Sequence, residues 1–518
     1  MTVGAPGKTL DDVSRAAWTA LTACLLAVFM QMLDLTVVHT AIPTVARQLG
    51  ADDAAQLLIV TVYGLTFACT LPTAARLGEL LGRGRVFAIA LAAFAAASTW
   101  CGISSSAVEL VLARGVAGIA AGTAAAQTVA IIATAFPPDR RDRAFGIYAA
   151  VAGLAGMIGP ILGGLAVDAN PLGLGWRTVF LINVPIAAVA IGLVDLRRAQ
   201  HEINCPTADF ENLKQQMVDR DAAGTTAAAS CGAPSGIAEF VPVVEAAADS
   251  RGLSVLRGMD LGGAALSVIG LALLVYPLTA GHELGWPLWI LVMLGLSVPV
   301  LAGFVRGQLR RTEPLVRLDL FGERGFAVGA VLMAVFYGLF TALLFTVSVT
   351  VQAGLGWSAA RTGVLMLPFA IGAAGGALSS PLLSAWWGNR VLTIGVGVFA
   401  VAVGAIAVTV RVLGSGLGIG SVAGPVLAAG LGMGWFAAAL PAVIIAGIPL
   451  SATGSASGLL PTVQQVGSSV GAAALGMVFF ARLAAAGALT AITTVLWAIA
   501  ALSVALACLT LALPARRS

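Results

Sequence analysis

Two charged side chains, Asp34 and Arg114, lie deep inside long apolar segments of this chain. Ionisable groups inside a membrane are costly, and they usually face a partner or a wet interior. At about 1.5 Å per residue, Asp34 lies about 12 Å from the outer end of its segment, and Arg114 lies about 10 Å from the outer end of its own. Because the two depths match, we expect these charges to face one interior cavity or each other.

Such a pair has two interpretations. In the first, Asp34 binds and releases a proton while Arg114 competes for its carboxylate. In the second, the two residues form a structural ion pair that fixes the register of two helices. His39 follows Asp34 by about one helical turn. It is either a second group that titrates near neutral pH or a polar residue tolerated near the outer surface.

The composition identifies lipid as the main solvent of the chain. Of its 518 residues, 59% are hydrophobic and 10% are charged, against about 25% charged residues in ordinary soluble domains. The formal net charge is +4, and a soluble protein with so few charges could not cover its surface. This excludes a soluble enzyme, a disordered chain and a nucleic-acid-binding protein. The six cysteines show no C-x-x-C spacing, so we expect no disulfide framework, no metal and no cofactor.

Fourteen segments of the chain are long and apolar enough to cross a bilayer, which takes about 20 residues of helix. We therefore predict an all-α polytopic membrane protein, and the even number of spans places both termini on one side. The predicted spans cover 17–39, 55–75, 86–104, 108–135, 144–167, 178–195, 261–279, 287–305, 326–351, 362–384, 391–410, 420–445, 457–480 and 487–513.

The basic residues give this topology a direction. With these spans, 22 of the 28 lysine and arginine residues lie on the side of the termini, five lie on the opposite side, and Arg114 lies within a span. By the positive-inside rule, both termini are then cytoplasmic. Only Lys8 and Lys214 are lysines, which we interpret as the trace of a GC-rich bacterial genome. The predicted location is therefore the bacterial cytoplasmic membrane.

The spans divide into two halves around an extra pair. We predict a six-helix half at 1–198, a cytoplasmic insert at 199–258, two extra transmembrane helices at 259–305 and a second six-helix half at 306–518. The second span of each half ends in a similar turn, at Gly82-Arg83 and at Gly388-Asn389-Arg390, as expected of a duplicated unit. The insert is rich in Ala, Gly and Ser and carries 4 basic and 8 acidic residues. We expect a flexible linker there.

The fifth span carries a row of small residues. Gly156, Gly159, Pro160 and Gly163 recur at i, i+3, i+4 and i+7, on one helical face. Such a face lets another helix approach at close backbone distance. Pro160 also removes the hydrogen bond to the Gly156 carbonyl and favours a kink.

At these residues the chain resembles the major facilitator superfamily, and within it the family of fourteen-span drug:proton antiporters. The resemblance covers nearly the whole chain outside the insert. It implies two six-helix halves, with two extra central helices between them. The matching segments are GMIGPILGG at 156–164, similar to the antiporter motif and including Gly164, LDLTVVHTAIP at 33–43, RGVAG at 114–118, WRTVFLINVP at 176–185, DLGG at 260–263, GHELGW at 281–286, GSASG at 454–458 and QQVG at 464–467.

The loop after the second span departs from the family pattern G-x-L-A-D-R-x-G-R-[RK]. Residues 75–85 read ARLGELLGRGR, so Glu79 replaces the aspartate and a leucine follows it. In the family this loop packs against neighbouring helix ends and locks the cytoplasmic gate. The resemblance implies that role for Glu79, Gly82, Arg83 and Arg85, while Arg83 and Arg85 are equally well explained as topology determinants.

A central pocket between the halves needs polar and aromatic walls. The candidates are Tyr63, Gln127, Phe336, Tyr337, Trp435, Phe436, Gln464 and Gln465. For the aromatic residues, core packing or lipid contact is the competing interpretation. The amides of Gln127 and Gln464 are stronger candidates, because an amide in a membrane span needs a polar partner or a wet cavity.

The sequence therefore predicts a monomeric antiporter that exports small amphipathic compounds by alternating access, driven by the proton gradient. No predicted span of the second half contains an acidic residue. We accordingly expect neutral, zwitterionic, anionic or monocationic substrates rather than dications. Export of one endogenous metabolite or lipid is the main alternative. A proton-coupled importer and a membrane-embedded enzyme are less favoured, the latter because no span carries a metal-ligand set or a Ser/His pair.

Overall fold

The structure is a computed structural model that describes residues 15–194, 260–311, 317–446, 448 and 453–511. Within these ranges the chain is an all-α protein with fourteen helical spans, which confirms the predicted fold class and count. The predicted linker at 199–258 lies outside the described residues.

Sixteen helices build the fourteen spans, because the sixth and tenth spans are each broken in two. The first half contains α1 (Arg15–Leu49), α2 (Asp53–Leu81), α3 (Arg83–Ile103), α4 (Ala107–Ala135), α5 (Pro138–Ala169), α6 (Thr178–Leu181) and α7 (Asn183–Leu193). The extra pair is α8 (Leu261–Ala280) and α9 (Leu288–Leu309). The second half contains α10 (Arg324–Val349), α11 (Ala359–Leu365), α12 (Leu367–Trp387), α13 (Arg390–Leu413), α14 (Ile419–Ala446), α15 (Thr453–Ala486) and α16 (Ala488–Thr510).

Most helices run past the predicted spans, since a helix continues through polar residues that an apolar window leaves out. Helix α2 ends at Leu81 and α15 starts at Thr453, several residues beyond the predicted 55–75 and 457–480. Helix α9 reaches Leu309, so the predicted boundary at 305 falls inside it.

Side-chain caps mark several helix starts. The Asp52 carboxylate accepts a hydrogen bond from the Ala55 amide at 2.7 Å, and the Ser106 hydroxyl accepts one from the Glu109 amide at 3.2 Å. Such caps satisfy amides that have no partner within the helix. Gly82 joins α2 to α3 with φ of +89°, a conformation that favours glycine.

The two halves repeat one packing pattern. In the first half α1 packs on α5, α2 on α4 and α3 on α7; in the second half α10 packs on α15, α12 on α14 and α13 on α16. The first helix thus pairs with the fifth, the second with the fourth and the third with the sixth in each half. This correspondence supports the duplicated unit that the two similar turns at Gly82 and Gly388 indicated.

The extra pair lies beside both halves. Helix α8 packs on α2 of the first half and on α15 of the second. Leu65, Val275 and Ala473 form a buried apolar cluster at this three-way contact. Helix α9 packs mainly on α8 and exposes most of its apolar surface. The arrangement suits a helix that faces lipid.

Candidate functional site

The structure brings Asp34 of α1 and Arg114 of α4 into direct contact. Nη1 of Arg114 donates a hydrogen bond to Oδ2 of Asp34, and both side chains are at most 1% exposed. A buried charge is tolerable only when it is paired and hydrogen-bonded. Of the two predicted arrangements, the charges therefore adopt the direct pair.

Three further groups hold the Arg114 guanidinium. Its Nε donates to the Ile59 carbonyl of α2 at 3.2 Å. Its Cζ lies 4.3 Å from the ring centre of Tyr63 and 5.7 Å from that of Phe180. Ring faces attract cations through their quadrupole. The positive charge of Arg114 is thus shared among an acid, a carbonyl and two rings.

Asn183, at the start of α7, supplies the second donor to Asp34. Its Nδ2 lies 2.8 Å from Oδ1 of Asp34 and 3.3 Å from the Ser98 hydroxyl of α3. Asn183 was not among the predicted site residues. The available signal was the one applied to Gln127 and Gln464, since a buried amide in a span needs a polar partner.

The glycines of α5 pack in two directions. A Cβ at Gly159 would lie 1.9 Å from the Thr36 hydroxyl of α1, and one at Gly163 would lie 2.4 Å from that of Thr40. Backbone contact of α5 with α1 therefore requires both glycines. Gly156 was predicted to share this face, but no atom lies within 4 Å of a Cβ placed there. The predicted close contact of Gly156 with another helix is therefore wrong, because no neighbouring helix approaches α5 closely at that position.

Gly164 and Pro160 belong to a contact between the halves. A Cβ at Gly164 would lie 2.2 Å from the Ala359 carbonyl of α11, and one at Gly363 would lie 2.8 Å from the Pro160 carbonyl. Helix α5 continues through Pro160 to Ala169. The motif therefore seats α5 on α1 within its half and on α11 across the halves.

We call the side of the molecule with the α1–α2 turn the outer side and the side with the α2–α3 turn the inner side. Near the outer side, Asp168 at the end of α5 accepts hydrogen bonds from the amides of Ala359 at 3.2 Å and Ala360 at 2.8 Å. The Gln352 amide donates to the Thr40 carbonyl at 3.0 Å, and the Ser348 hydroxyl donates to the His39 carbonyl at 2.6 Å. These bonds join the halves in the outer parts of α1, α5, α10 and α11.

Comparison with known proteins identifies the family. The sequence profile of the Major Facilitator Superfamily matches residues 24–312, more than half of the chain. The chain belongs to the Major Facilitator Superfamily.

Several relatives carry names that refer to transport or export. The probable actinorhodin transporter of Streptomyces coelicolor is 32% identical over 90% of this chain and 73% of its own length. The tetracenomycin C resistance and export protein of Streptomyces glaucescens is 29% identical over 90% and 76%. The multidrug export protein EmrB of Escherichia coli is 26% identical over 86% and 77%.

Solved structures agree on the fold of the superfamily. A crystal structure of tetrameric PepTSo2 matches with a TM-score of 0.61 at 12% identity and covers 96% of this chain and 98% of that one. A bacterial homolog of the human lysosomal transporter Spinster matches with a TM-score of 0.57 at 15% identity over 96% and 95%.

The residues predicted to form the cytoplasmic gate loop lie at the inner end of α2 and the start of α3. Glu79 pairs with Arg76 of its own helix at 2.9 Å, and both side chains are exposed. Arg83 donates to the Ala130 carbonyl of α4 at 3.4 Å. Gly82 forms the turn, and Arg85 follows on α3, partly buried. In this structure Glu79 thus makes a local pair within α2, while Arg83 ties α3 to α4.

Several of the predicted pocket residues are buried among their neighbours in the structure. Tyr63 lies beneath Arg114. The Gln127 amide donates to the Ala74 carbonyl of α2 at 2.6 Å. Phe436 stacks against Phe336, with 4.3 Å between ring centres. These three side chains pack or form hydrogen bonds with residues of their own half. The sequence pattern does not distinguish such residues from residues that line a cavity.

The other pocket candidates lie on the second half. The Trp435 indole donates to the Ser379 hydroxyl of α12 at 2.8 Å. Gln464, Trp435 and Tyr337 are half-buried, whereas Gln465 is buried beside Gly64 of α2. Their predicted role in substrate binding stays a prediction. His39 is buried at the contact of α1 with α10, and not at the outer surface.

Removing one partner of the buried pair should destabilise the protein strongly. We expect Asp34→Leu to lower the free energy of unfolding by about 3–5 kcal/mol, since Arg114 is left as an uncompensated buried charge. The double variant Asp34→Leu/Arg114→Met should recover most of this loss. Thermal unfolding of the purified variants measures both. Glu79→Gln removes an exposed pair and should change stability by less than about 1 kcal/mol. A double variant as unstable as the single one would contradict the pairing.

The glycine contacts predict a position-dependent effect along α5. Gly163→Val should reduce thermal stability and the yield of folded protein, because its side chain meets the Thr40 hydroxyl and the Val37 carbonyl of α1. Gly156→Ala is the matched control, and it should be neutral or stabilising by up to about 1 kcal/mol, as for glycine replacement in an open helical position. Equal damage from both changes would show that the measured loss is unrelated to the α1–α5 contact.

Proposed function

We propose that this protein is a proton-coupled antiporter that exports small amphipathic compounds by alternating access. The observation that carries the proposal is the buried Asp34–Arg114 pair. An ionisable pair inside a membrane protein marks a candidate proton relay. Two relatives whose names refer to export support the direction of transport.

The pair provides a physical route for coupling. In the structure the Asp34 carboxylate accepts hydrogen bonds from Arg114 and Asn183. Protonation removes the negative charge that compensates Arg114, so the contact between α1 and α4 weakens. Substrate binding and proton binding must then favour different states for one to drive the other. We infer that a proton loads Asp34 from outside and leaves it on the inside.

The proposed setting is a bacterial cytoplasmic membrane, with both termini in the cytoplasm. The distribution of 22 basic residues on the side of the termini supports this orientation. The outer side of the molecule then faces the exterior, where the halves touch. We propose a monomer whose partners are the substrate, protons and the bilayer, without a cofactor.

The charge pattern of the second half narrows the substrate class. From Arg324 to the C-terminus the sequence contains no aspartate or glutamate. A dication would meet no carboxylate from the membrane spans of that half, and burial of an unpaired charge is costly. We therefore propose neutral, zwitterionic, anionic or monocationic substrates.

A second candidate is a dedicated exporter of one endogenous product. The relatives named for actinorhodin and for tetracenomycin C favour it, because each name refers to one compound. A substrate panel separates the two candidates: broad export predicts transport of several unrelated compounds, and dedicated export predicts transport of one chemical series.

Proton coupling is tested in everted membrane vesicles with a panel of amphipathic dyes and drugs of differing charge. The wild-type protein should accumulate its substrates only when the vesicle interior is acidified. Asp34→Asn should abolish gradient-driven accumulation, because the side-chain amide of asparagine does not take up a proton at the pH of the assay. Glu109→Gln is the control and should retain coupled transport, because Glu109 bonds Ser105 and Trp100 at the outer end of its own half. Accumulation that ignores the gradient in the wild type, or that survives in Asp34→Asn, would overturn the proposal.

Alternating access predicts that Asp168 stabilises the outer-closed state. Asp168→Ala loses two hydrogen bonds to a charged acceptor, so that state should be weakened by about 1.5–3 kcal/mol per bond. Spin labels at Leu172 and Ser415, which lie on exposed outer loops of the two halves, should report longer distances in this variant. Glu109→Ala is the control, because Glu109 bonds Ser105 and Trp100 of its own half. An unchanged distance distribution in Asp168→Ala would contradict the role of Asp168.

A further inference from the structure

Asn183 contacts the proposed proton carrier from α7, and the sequence predicted no role for it at this site. We propose that Asn183 is a positioning residue whose amide stabilises both protonation states of Asp34, donating to the carboxylate and accepting from the carboxyl group after a turn of its side chain. This inference rests on the proposed function of Asp34. It adds a residue that keeps a hydrogen bond to Asp34 in both of its protonation states.

The first support is the present orientation of the amide. Nδ2 of Asn183 lies 2.8 Å from Oδ1 of Asp34, and Arg114 occupies Oδ2. A carboxylate has only acceptors, so an amide that faces it must present its NH₂ group. Both oxygens of Asp34 are then engaged by donors, as the ionised form requires.

The second support is the other end of the amide. Asn183 is fully buried, and within the described residues its Oδ1 has no hydrogen-bond partner. Buried polar atoms are normally satisfied, and one that is not calls for an explanation. A carbonyl oxygen on the residue that bonds Asp34 is the acceptor that a protonated carboxyl group needs.

The third support is Ser98. Its hydroxyl lies 3.3 Å from Nδ2 of Asn183 and is itself buried. A hydroxyl both donates and accepts. It can therefore accept from the amide NH₂ in one orientation and donate to the amide carbonyl in the other. The pair Asn183–Ser98 thus adjusts to the state of Asp34 without moving a helix.

Other groups near Asp34 do not offer this exchange. The ionisable groups that face it from neighbouring helices are Arg114 of α4, Tyr63 of α2 and Cys101 of α3. His39 lies on α1 itself. Arg114 can only donate hydrogen bonds. When Asp34 is protonated, Arg114 loses the negative charge with which it pairs. Asn183 can change from hydrogen-bond donor to acceptor towards Asp34, because its side chain carries both an NH₂ group and a carbonyl oxygen.

The test measures the protonation of Asp34 directly in the full chain in lipid nanodiscs. Infrared spectra are recorded against pH, and the carboxyl band that Asp34→Asn abolishes reports Asp34. In Asn183→Leu the midpoint of this band should move to higher pH by about one unit, a tenfold change in proton affinity. The direction follows because a hydrogen bond to an ionised acceptor is about twice as strong as a neutral one, so the carboxylate loses more than the carboxyl group.

The matched control is Gln308→Leu. The Gln308 amide also donates to a buried carboxylate, Oδ2 of Asp260 at 2.6 Å, at the inner end of the extra pair. Its removal should leave the Asp34 midpoint unchanged, which separates a local effect from general destabilisation. If Asn183→Leu does not fold, Ser98→Ala replaces it and should give a smaller shift in the same direction.

The outcomes separate this inference from the proposed function. A band that Asp34→Asn abolishes, but whose midpoint is unchanged in Asn183→Leu or in its replacement, would overturn the role of Asn183 alone. A titrating band that survives Asp34→Asn would overturn the role of Asp34 as the proton carrier, and this inference with it.

Discussion

The packing of the first half depends on one buried ion pair. Arg114 and Asp34 have almost no exposure, so each is tolerable only while the other is present. Neighbouring helices supply the groups that surround the pair. Helices α1 and α4 carry the two charges, and α2 supplies the Ile59 carbonyl and the Tyr63 ring. Helices α3 and α7 supply Ser98 and Asn183. A change in the charge of Asp34 therefore changes the packing of a whole bundle.

The same stretch of α1 carries the contacts that a transport cycle has to change. Asp34 and Thr40 are separated by about 9 Å of helix. This stretch contains the proposed proton site, the Thr36 and Thr40 hydroxyls against Gly159 and Gly163, and the carbonyls that accept hydrogen bonds from the second half. The proposed proton site, the glycine motif of α5 and the contact between the halves thus lie within two helical turns. This short distance explains how a local change of charge can reach the contact between the halves without a long relay.

Much of the fold follows from the sequence because a bilayer imposes simple rules. Apolar length predicted the fourteen spans, and matching depths predicted that Asp34 and Arg114 face one interior cavity or each other. The rest depended on tertiary packing. An amide in a span needs a partner, but the sequence does not say which one: Gln127 bonds the Ala74 carbonyl inside one half, whereas Asn183 bonds Asp34. Likewise Gly156 shares the spacing of Gly159 and Gly163, and only the course of α5 shows that it touches no neighbour.

In the proposed cycle, substrate and proton oppose each other through Asp34. Calorimetry of substrate binding in buffers of different ionisation enthalpy counts the protons exchanged per substrate bound. At a pH where Asp34 is partly protonated, we expect release of a fraction of a proton, rising towards about one as the pH falls, and no release from Asp34→Asn. Binding without proton release in the wild-type protein, or with equal release in Asp34→Asn, would contradict it.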